Sequence, residues 1–214
     1  MPTLPLAIDP GIAARIRIAS FTLEPVGNGE RPESLDRELR ALEERYRRLW
    51  NEPSEAIEAL QPARKLYHAF GIDPSRTRPS SESLLRRILQ GKGLYRVGAV
   101  VDAANLASLT LLLPVGLYDL EKIQPPVLLR AGLEGESYAG IRKDEVHLHG
   151  RPVLVDSLGP FGNPTSDSLR TSVTESTTAV FFVVFAPSDR PANRLADELE
   201  LAHRILRTHA GACA

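Results

Sequence analysis

The sequence predicts a single domain of mixed helix and sheet, the α+β class, from three observations. Several segments of the first half repeat leucines at helical spacing, which is typical of helices that bury one face. The second half holds short β-type runs separated by glycine-rich turns. Neither an internal repeat nor a low-complexity linker divides the 214 residues, so we expect one domain over residues 1–214.

The first half is expected to form one strand and four helices. The strand is predicted over Arg15–Thr22, and the helical segments are Ser34–Trp50, Ser54–Phe70, Ser80 or Ser81 to Leu89, and Val100–Leu112. The first helix carries opposite charges four residues apart, which favours a solvent-facing surface. Pro62 can divide the second helix. The fourth is apolar almost all round and is therefore expected to be buried.

The second half is expected to supply the sheet. The predicted strands are Val127–Arg130, Glu145–Leu148, Pro152–Asp156 and Ala179–Ala186. The last strand is wholly apolar, so we place it at the centre of a sheet. A closing helix is predicted from near Asp189 to Arg207. The Pro/Gly/Ser/Thr-rich segment from Gly159 to Thr178 is expected to be a long loop.

Composition excludes several functional classes. A net charge of −1 with 43% hydrophobic and 25% charged residues is ordinary for a soluble domain, and it leaves room only for a local basic patch. No apolar run reaches the roughly 20 residues that span a bilayer, and the N-terminal residues do not resemble a signal peptide. The only cysteine is Cys213, so an internal disulfide is excluded. We therefore expect a cytoplasmic protein with no membrane partner.

One stretch of the chain is strongly basic. Between Arg76 and Arg96 there are six basic residues and one acid. The phosphates of a nucleic acid attract such clusters, and counterion release supplies the binding free energy. A solvated helix face followed by a glycine turn explains the same pattern, so both interpretations stay open. The candidate phosphate-binding residues are Arg78, Arg86, Arg87, Lys92 and Arg96.

Polar residues within apolar segments are further candidates. Asp102 and Asn105 lie three residues apart in the apolar helix, and they either tie down neighbouring backbone or line a pocket. Gly116 follows in a rigid proline-glycine corner. Asp119 is expected either to cap the next element or to reach a ligand.

The long loop concentrates hydroxyl, amide, carboxylate and guanidinium groups. These groups can hold a carboxyl or ester carbonyl, or they can cap turns by bonding to nearby backbone, and the sequence allows both. The candidates are Asn163, Ser166, Asp167, Arg170, Thr171 and Thr174. His147 and His149 alternate on a predicted strand, but no third ligand accompanies them, so no metal site is predicted.

The order of these motifs resembles a known family. Residues Val100–Asn105, Leu113–Ile123, Leu129–Ala131, Gly135–Glu136 and Val173–Thr177 are similar to the editing domain, the B3/4 domain, in the β subunit of bacterial phenylalanyl-tRNA synthetase. The similarity covers about residues 78–186. The segments Ser80–Glu82 and Gly91–Gly93 are more similar to free-standing relatives of that domain.

The resemblance implies a β-sandwich of unusual topology flanked by helices, which binds an amino acid esterified to the end of a tRNA. In the synthetase this site hydrolyses tRNA carrying the wrong aromatic amino acid without a metal, so no cofactor is expected. Asn105 matches an asparagine of the synthetase pocket. Gly116 and Val183 stand where the synthetase pattern has a histidine and a glutamate. Gly116 is therefore expected to leave a gap, and the substrate is expected to differ.

The leading hypothesis is a deacylase that acts in trans on mischarged tRNA. Its candidate catalytic residues are Asn105, Asp102 and Thr174, and its candidate substrate-binding residues are Gly116, Asp119, Asn163, Ser166, Asp167, Arg170 and Thr171. The basic stretch would hold the acceptor end of the tRNA. The alternatives are a non-catalytic module that binds tRNA or an amino acid, and a structural protein that retains only the fold. No DNA partner is expected.

Overall fold

The computed structural model describes residues 1–141 and 143–211, so Cys213 lies outside the described residues. The elements in chain order are β1 (Leu6–Ile8), α1 (Pro10–Ala13), β2 (Ile16–Leu23), α2 (Glu33–Leu49), α3 (Gln61–Ala69), α4 (Ser80–Leu89), α5 (Ala99–Leu111), β3 (Val115–Asp119), β4 (Val127–Ala131), β5 (Ser137–Gly140), β6 (Lys143–His147), β7 (Pro152–Asp156), β8 (Gly159–Gly162), β9 (Val180–Pro187) and α6 (Ala192–Ala210). Short 3-10 turns form at Leu120–Lys122 and Leu169–Thr171.

The strands form three sheets within the described residues. One sheet has the order β2-β9-β3, with β9 antiparallel to both neighbours. A second has the order β1-β4-β7-β8, in which β1 runs parallel to β4 and the other pairs are antiparallel. Strands β5 and β6 form a separate hairpin. No helix in the described part of the chain combines the length and apolar composition that crossing a bilayer requires.

Strand β9 explains how the layers stack. Alternate residues of a strand point to opposite faces of its sheet. Phe182 and Val184 face a core shared with α2, α4, α5 and α6. Phe181, Val183 and Phe185 face a second core, which lies between the three-stranded and the four-stranded sheet. Both faces of β9 are therefore buried, and this is why its sequence is an uninterrupted apolar run.

The α+β class is confirmed, but β1, α1 and β5 were not predicted, and three further elements differ from expectation. The prediction of a helix from Ser54 was wrong, since α3 begins at Gln61 and residues 53–60 form turns. Pro62 lies in the first turn of α3, where its missing N–H costs no hydrogen bond. Strand β3 replaces the expected rigid corner, and β8 lies within the expected long loop. Both strands are short and contain glycine, so their local signal is weak.

Candidate functional site

A cavity opens between α4, α5, β3 and the loop that follows β8. Its volume is about 330 Å³. We call it the aliphatic pocket, and its lining residues are Ser80, Leu84, Val97, Val101, Ala104, Asn105, Ser108, Val115, Leu117, Ile141, Asp167, Ser172 and Val173. A mostly apolar wall with a few polar groups is the usual composition of a small-ligand site.

Two elements and one loop place this wall. One face of helix α5 lines the pocket. Its residues are three or four positions apart in the sequence, and they are Val101, Ala104, Asn105 and Ser108. Strand β3 contributes Val115 and Leu117, which share one face because they alternate along the strand. Since β3 is the last strand of its sheet, its free edge is open to the loop that carries Asp167.

Three side chains of the pocket have a polar atom without a hydrogen bond in the described part of the chain. Asn105 makes no side-chain hydrogen bond with any described residue. The Ser80 Oγ and the Asp167 Oδ1 are buried and also unpaired. The Ser108 hydroxyl, in contrast, donates to a backbone carbonyl oxygen at 2.8 Å. The Ser80 and Asp167 oxygens have almost no accessible surface, so the half-buried amide of Asn105 is the group of these three that is open to a ligand.

Asp167 is the titratable group of the pocket. Burial raises the pKa of its carboxyl to about 7, although the Tyr118 hydroxyl and the backbone of Leu117 and Asn163 act in the opposite direction. The Tyr118 hydroxyl and the backbone of Leu117 and Asn163 lie beside the carboxyl, so protein groups surround it. The carboxyl is therefore poised between its neutral and ionised forms near neutral pH.

The aliphatic pocket joins a wider groove along α4, which we call the basic groove. The groove has a volume of about 530 Å³, and it shares Ser80, Leu84 and Asn105 with the pocket. Its basic side chains are Arg78, Arg86, Arg87 and Lys92. Four cations along one groove provide the local positive field that a polyanion requires, although the net charge of the chain is −1.

Contacts within the basic groove hold two of its guanidinium groups. The Arg87 Cζ lies 3.7 Å from the centre of the Tyr95 ring, and its Nη1 donates to the Tyr95 hydroxyl at 2.9 Å. Arg86 lies 3.8 Å from the buried Glu82 carboxylate, which accepts two shorter hydrogen bonds from Arg64 at 2.8 and 2.9 Å. Arg86 is thus only partly neutralised and can still attract a phosphate.

The groove extends beyond the residues that the sequence identified. A further cavity of about 340 Å³ shares Arg78, Ser83 and Thr165 with it and adds Arg76 and Arg151. Arg151 has no ion-pair partner among the described residues. In the sequence Arg151 lies between a glycine and a proline and has no basic neighbour, so a search for clusters of basic residues does not find it.

Asp102 does not reach the pocket, in contrast to its prediction as a catalytic residue. Its carboxylate accepts hydrogen bonds from the Val97 N–H at 3.3 Å and from Arg31 at 3.2 Å. Burial raises its pKa, and these two partners lower it. Asp102 and Asn105 therefore do not line one cavity, because the Asp102 side chain turns back to hold the start of α5.

Asp119 and Thr174 are also held away from the pocket. The Asp119 Oδ1 accepts from the Glu121 N–H at 3.2 Å, which caps the 3-10 turn, and its Oδ2 accepts from the Thr177 hydroxyl at 2.7 Å. The Thr174 hydroxyl lies 3.0 Å from that of Ser176. Asp119 therefore makes the capping contact that was one of its two expected roles. Thr174 lies in the same turn, because its hydroxyl is also close to that of Thr177.

The loop after β8 is mainly held by its own polar groups. Arg170 forms a bidentate pair with Asp156 at 2.9 and 3.1 Å. Thr171 is fully buried, and its hydroxyl donates to the carbonyl oxygen of Phe161 at 3.4 Å. Asn163 accepts from two loop N–H groups at 2.7 and 3.0 Å. Ser166 lines the basic groove, so Ser166 and Asp167 are the predicted loop residues that reach the candidate site.

Gly116 leaves no gap, and that expectation was wrong. It lies on the face of β3 opposite to the pocket, where a Cβ would stand 2.1 Å from the Tyr118 Oη. The phenol of Tyr118 fills the space. Val183 lies opposite Gly116 in the strand register and is buried in the core between the two larger sheets. Gly116 and Val183, for which the resemblance implied a histidine and a glutamate in the synthetase, therefore both adjoin an apolar core in this chain.

Arg96 lies outside the basic groove. Its guanidinium pairs with the Asp36 carboxylate at 2.6 Å, and it lines none of the described cavities. Arg31 and Arg40 bind the same carboxylate. Arg96 therefore belongs to a charge cluster at the start of α2, although it is close in sequence to the basic residues of the groove.

Comparison with known proteins identifies a family for the chain. The model of the B3/4 domain family matches residues 62–208. Among solved structures, the chain is similar to the crystal structure of an N-terminal fragment of the phenylalanyl-tRNA synthetase β-subunit from Pyrococcus horikoshii, with 18% identity and a TM-score of 0.47. The likeness covers 96% of this chain and 50% of the other, so the chain spans about half the length of that fragment. A search among curated proteins found no match.

Proposed function

We propose a function on one premise, that the chain belongs to the B3/4 domain family. The protein hydrolyses the ester between a mischarged amino acid and its tRNA, acting in trans. One observation supports this function above others. An aliphatic pocket with unpartnered polar groups opens directly into a groove lined by arginine and lysine. The amino acid would enter the pocket, and the phosphates of the tRNA acceptor end would lie along the groove.

Asn105 is the residue best placed to act on the ester. It lines both the pocket and the groove, so it faces the junction between the amino acid and the tRNA. In the reaction a water oxygen adds to the ester carbonyl carbon, and the bond to the ribose oxygen breaks as that oxygen takes up a proton. The free amide N–H of Asn105 can donate to the carbonyl oxygen as it gains negative charge. One such donor is typically worth about 3 kcal/mol of the barrier.

A panel of tRNAs charged with aliphatic, hydroxylated and aromatic amino acids tests this proposal. We expect release of at least one amino acid above the buffer blank, and we expect an Arg78→Ala, Lys92→Ala double variant to slow that release. Arg96→Ala is the matched control, since Arg96 lies outside the groove. Release no faster than the blank across the whole panel would contradict the proposal.

A second candidate is a module that binds tRNA or an amino acid without cleaving an ester. The hydrogen bonds of Asp102 and Thr174 favour this candidate, because they hold both side chains away from the pocket. Of the predicted catalytic residues only Asn105 then lines the pocket, and its amide is neither an acid nor a base. This candidate predicts tRNA binding that weakens with salt, together with no release in the panel. For either candidate the expected compartment is the cytoplasm.

A further inference from the structure

We propose that the path of the bound RNA continues from the basic groove past Arg78 into a second phosphate-binding site, which is built around Arg151. This site is the cavity of about 340 Å³ that adjoins the groove, and we call it the arginine cavity. Its ligand would be the sugar-phosphate backbone of the same tRNA whose 3′ end reaches the aliphatic pocket. The inference rests on the proposed function and deepens it, since it assigns a further part of the tRNA to the same surface.

The arginine cavity and the basic groove form one continuous surface. Arg78, Ser83 and Thr165 line both of them. The mouth of the aliphatic pocket lies beside this junction, because Ser80 and Leu84, which line both pocket and groove, flank Ser83 on α4. An RNA strand whose 3′ end is held at the mouth can therefore reach the arginine cavity by crossing Arg78.

The cations of the arginine cavity are free to bind phosphate. The guanidinium groups of Arg78 and Arg151 have neither an ion pair nor a hydrogen bond with any described residue. Arg76 is 89% exposed, and its ion pair with Asp73 is a long contact of 3.8 Å. Such an exposed pair is worth little, so Arg76 can exchange it for a phosphate.

The opposite end of the basic groove holds its arginines more tightly. Arg87 is stacked on Tyr95 and bonded to its hydroxyl, and Arg86 is partly neutralised by Glu82. Lys92 is the cation of that end whose side chain makes no described contact. Arginines without strong partners are therefore concentrated on the side of Arg78, and this favours a path of the RNA that includes the arginine cavity.

The fold, and not a local run of charge, places Arg151. The residue is half-buried and immediately precedes β7. Burial raises the pKa of the Tyr67 and Tyr138 hydroxyls, and the nearby charge of Arg151 acts in the opposite direction. These two hydroxyls bond Thr165 and the carbonyl oxygen of Ser166, and both of those residues line the basic groove. A half-buried guanidinium loses less side-chain freedom on binding than a fully exposed one.

The balance of charge in the arginine cavity favours a polyanion. Three arginines line it against one acid among the described lining residues, Glu145, whose carboxylate accepts a hydrogen bond from the Ser137 hydroxyl at 2.6 Å. A guanidinium group binds phosphate through two parallel N–H···O bonds. Neutralising phosphates in this way releases counterions, so the affinity should depend on salt.

Binding of uncharged tRNA, measured by fluorescence titration at a series of salt concentrations, tests the inference with the whole chain. Arg151→Ala should reduce the slope of the logarithm of the binding constant against the logarithm of salt concentration by about 1, because one phosphate contact is lost. Arg151→Lys keeps the charge and should restore most of that slope. Arg204→Ala is the matched control, since it removes an exposed arginine of α6 that lines neither cavity. Urea unfolding of each variant confirms that it folds.

An Arg151→Ala slope equal to that of Arg204→Ala would overturn the inference, and so would tRNA binding by the wild-type protein that does not depend on salt. Failure of the proposed function is distinguishable, because ester cleavage decides it. Cleavage of a charged tRNA together with an unchanged slope in Arg151→Ala would keep the proposed function and remove the arginine cavity from the RNA path. A reduced slope together with no release across the panel would support the cavity and contradict the proposed function.

Discussion

Asp102 and Asn105 lie three residues apart on α5, yet the fold uses their side chains in opposite ways. The Asp102 carboxylate is 1% exposed and is bound by Arg31 and by the Val97 N–H. The Asn105 amide has no side-chain partner among the described residues and faces the aliphatic pocket. Polar groups that hold the fold are thus satisfied by the protein itself, whereas groups that await a ligand are left open.

The loop after β8 repeats this contrast within a few residues. The charge of Arg170 is taken up by Asp156 in a bidentate pair. The hydroxyl of Ser166, four residues earlier, makes no hydrogen bond with a described residue, and Ser166 lines the basic groove. The comparison therefore separates residues whose loss should cost stability from residues whose loss should cost activity.

The largest expected effect is on stability, at Asp102. Asp102→Ala leaves the largely buried Arg31 without one of its two carboxylate partners, and such losses cost about 4 kcal/mol of unfolding free energy. Urea unfolding measures the change. Asp197→Ala, at an exposed carboxyl of α6, should change stability by less than about 0.5 kcal/mol. Equal, small changes in both variants would mean that Asp102 does not hold the fold.

Asp167 should destabilise the fold when it ionises. Its pKa is about 7 in the folded protein against 3.8 for an unperturbed aspartate, so the folded state binds the proton more tightly. Stability should fall as pH rises from about 4 to about 7 and then level off, by roughly 4 kcal/mol. Asp167→Asn should remove this dependence and be the more stable protein at pH 8. Urea unfolding at a series of pH values checks this, and parallel pH curves for the two proteins would contradict it.

Gly116→Ala tests the interpretation that Tyr118 fills the space beside Gly116. The added Cβ would stand 2.1 Å from the Tyr118 Oη, and overpacking of this kind costs about 2 kcal/mol. Gly27→Ala is the matched control, since no atom lies within 4 Å of its Cβ position. Tyr118→Leu should reduce the cost of Gly116→Ala in a double-mutant cycle. A Gly116→Ala protein as stable as Gly27→Ala would show that the space is open.

The smallest expected effects concern single cations of the basic groove. Arg78→Ala and Lys92→Ala should each weaken tRNA binding. Each should also reduce the slope of the logarithm of the binding constant against the logarithm of salt concentration by about 1, because one phosphate contact is lost. Arg96→Ala should leave that dependence unchanged, because Arg96 pairs with Asp36 away from the groove. Fluorescence titrations at several salt concentrations make the measurement. The same salt dependence for Arg78→Ala and Arg96→Ala would remove the distinction between groove and charge cluster.

The long elements were predictable because their signal is local. The helical spacing of α5 and α6 and the apolar run of β9 are each contained in one segment of sequence. The α+β class follows from such segments. That residues 1–214 form one domain stays a prediction.

The candidate site was only partly predictable, because the partner of each polar group is remote in sequence. Arg31, which binds Asp102, lies 71 residues away, so the pattern alone could not separate Asp102 from Asn105. The Gly116 space was misjudged for a different reason. Tyr118 is two residues away on the same face of a strand, and recognising β3 would have indicated the filling side chain.

The single-turnover rate of ester cleavage by Asn105→Ala tests the central claim most directly. It is measured on whichever charged tRNA the wild-type protein cleaves. The account predicts a rate about 100-fold lower than wild type, with urea unfolding unchanged, because Asn105 has no partner to lose within the described fold. A wild-type rate in Asn105→Ala, or a rate that falls only together with stability, would contradict the claim that the open polar groups of the pocket perform the chemistry.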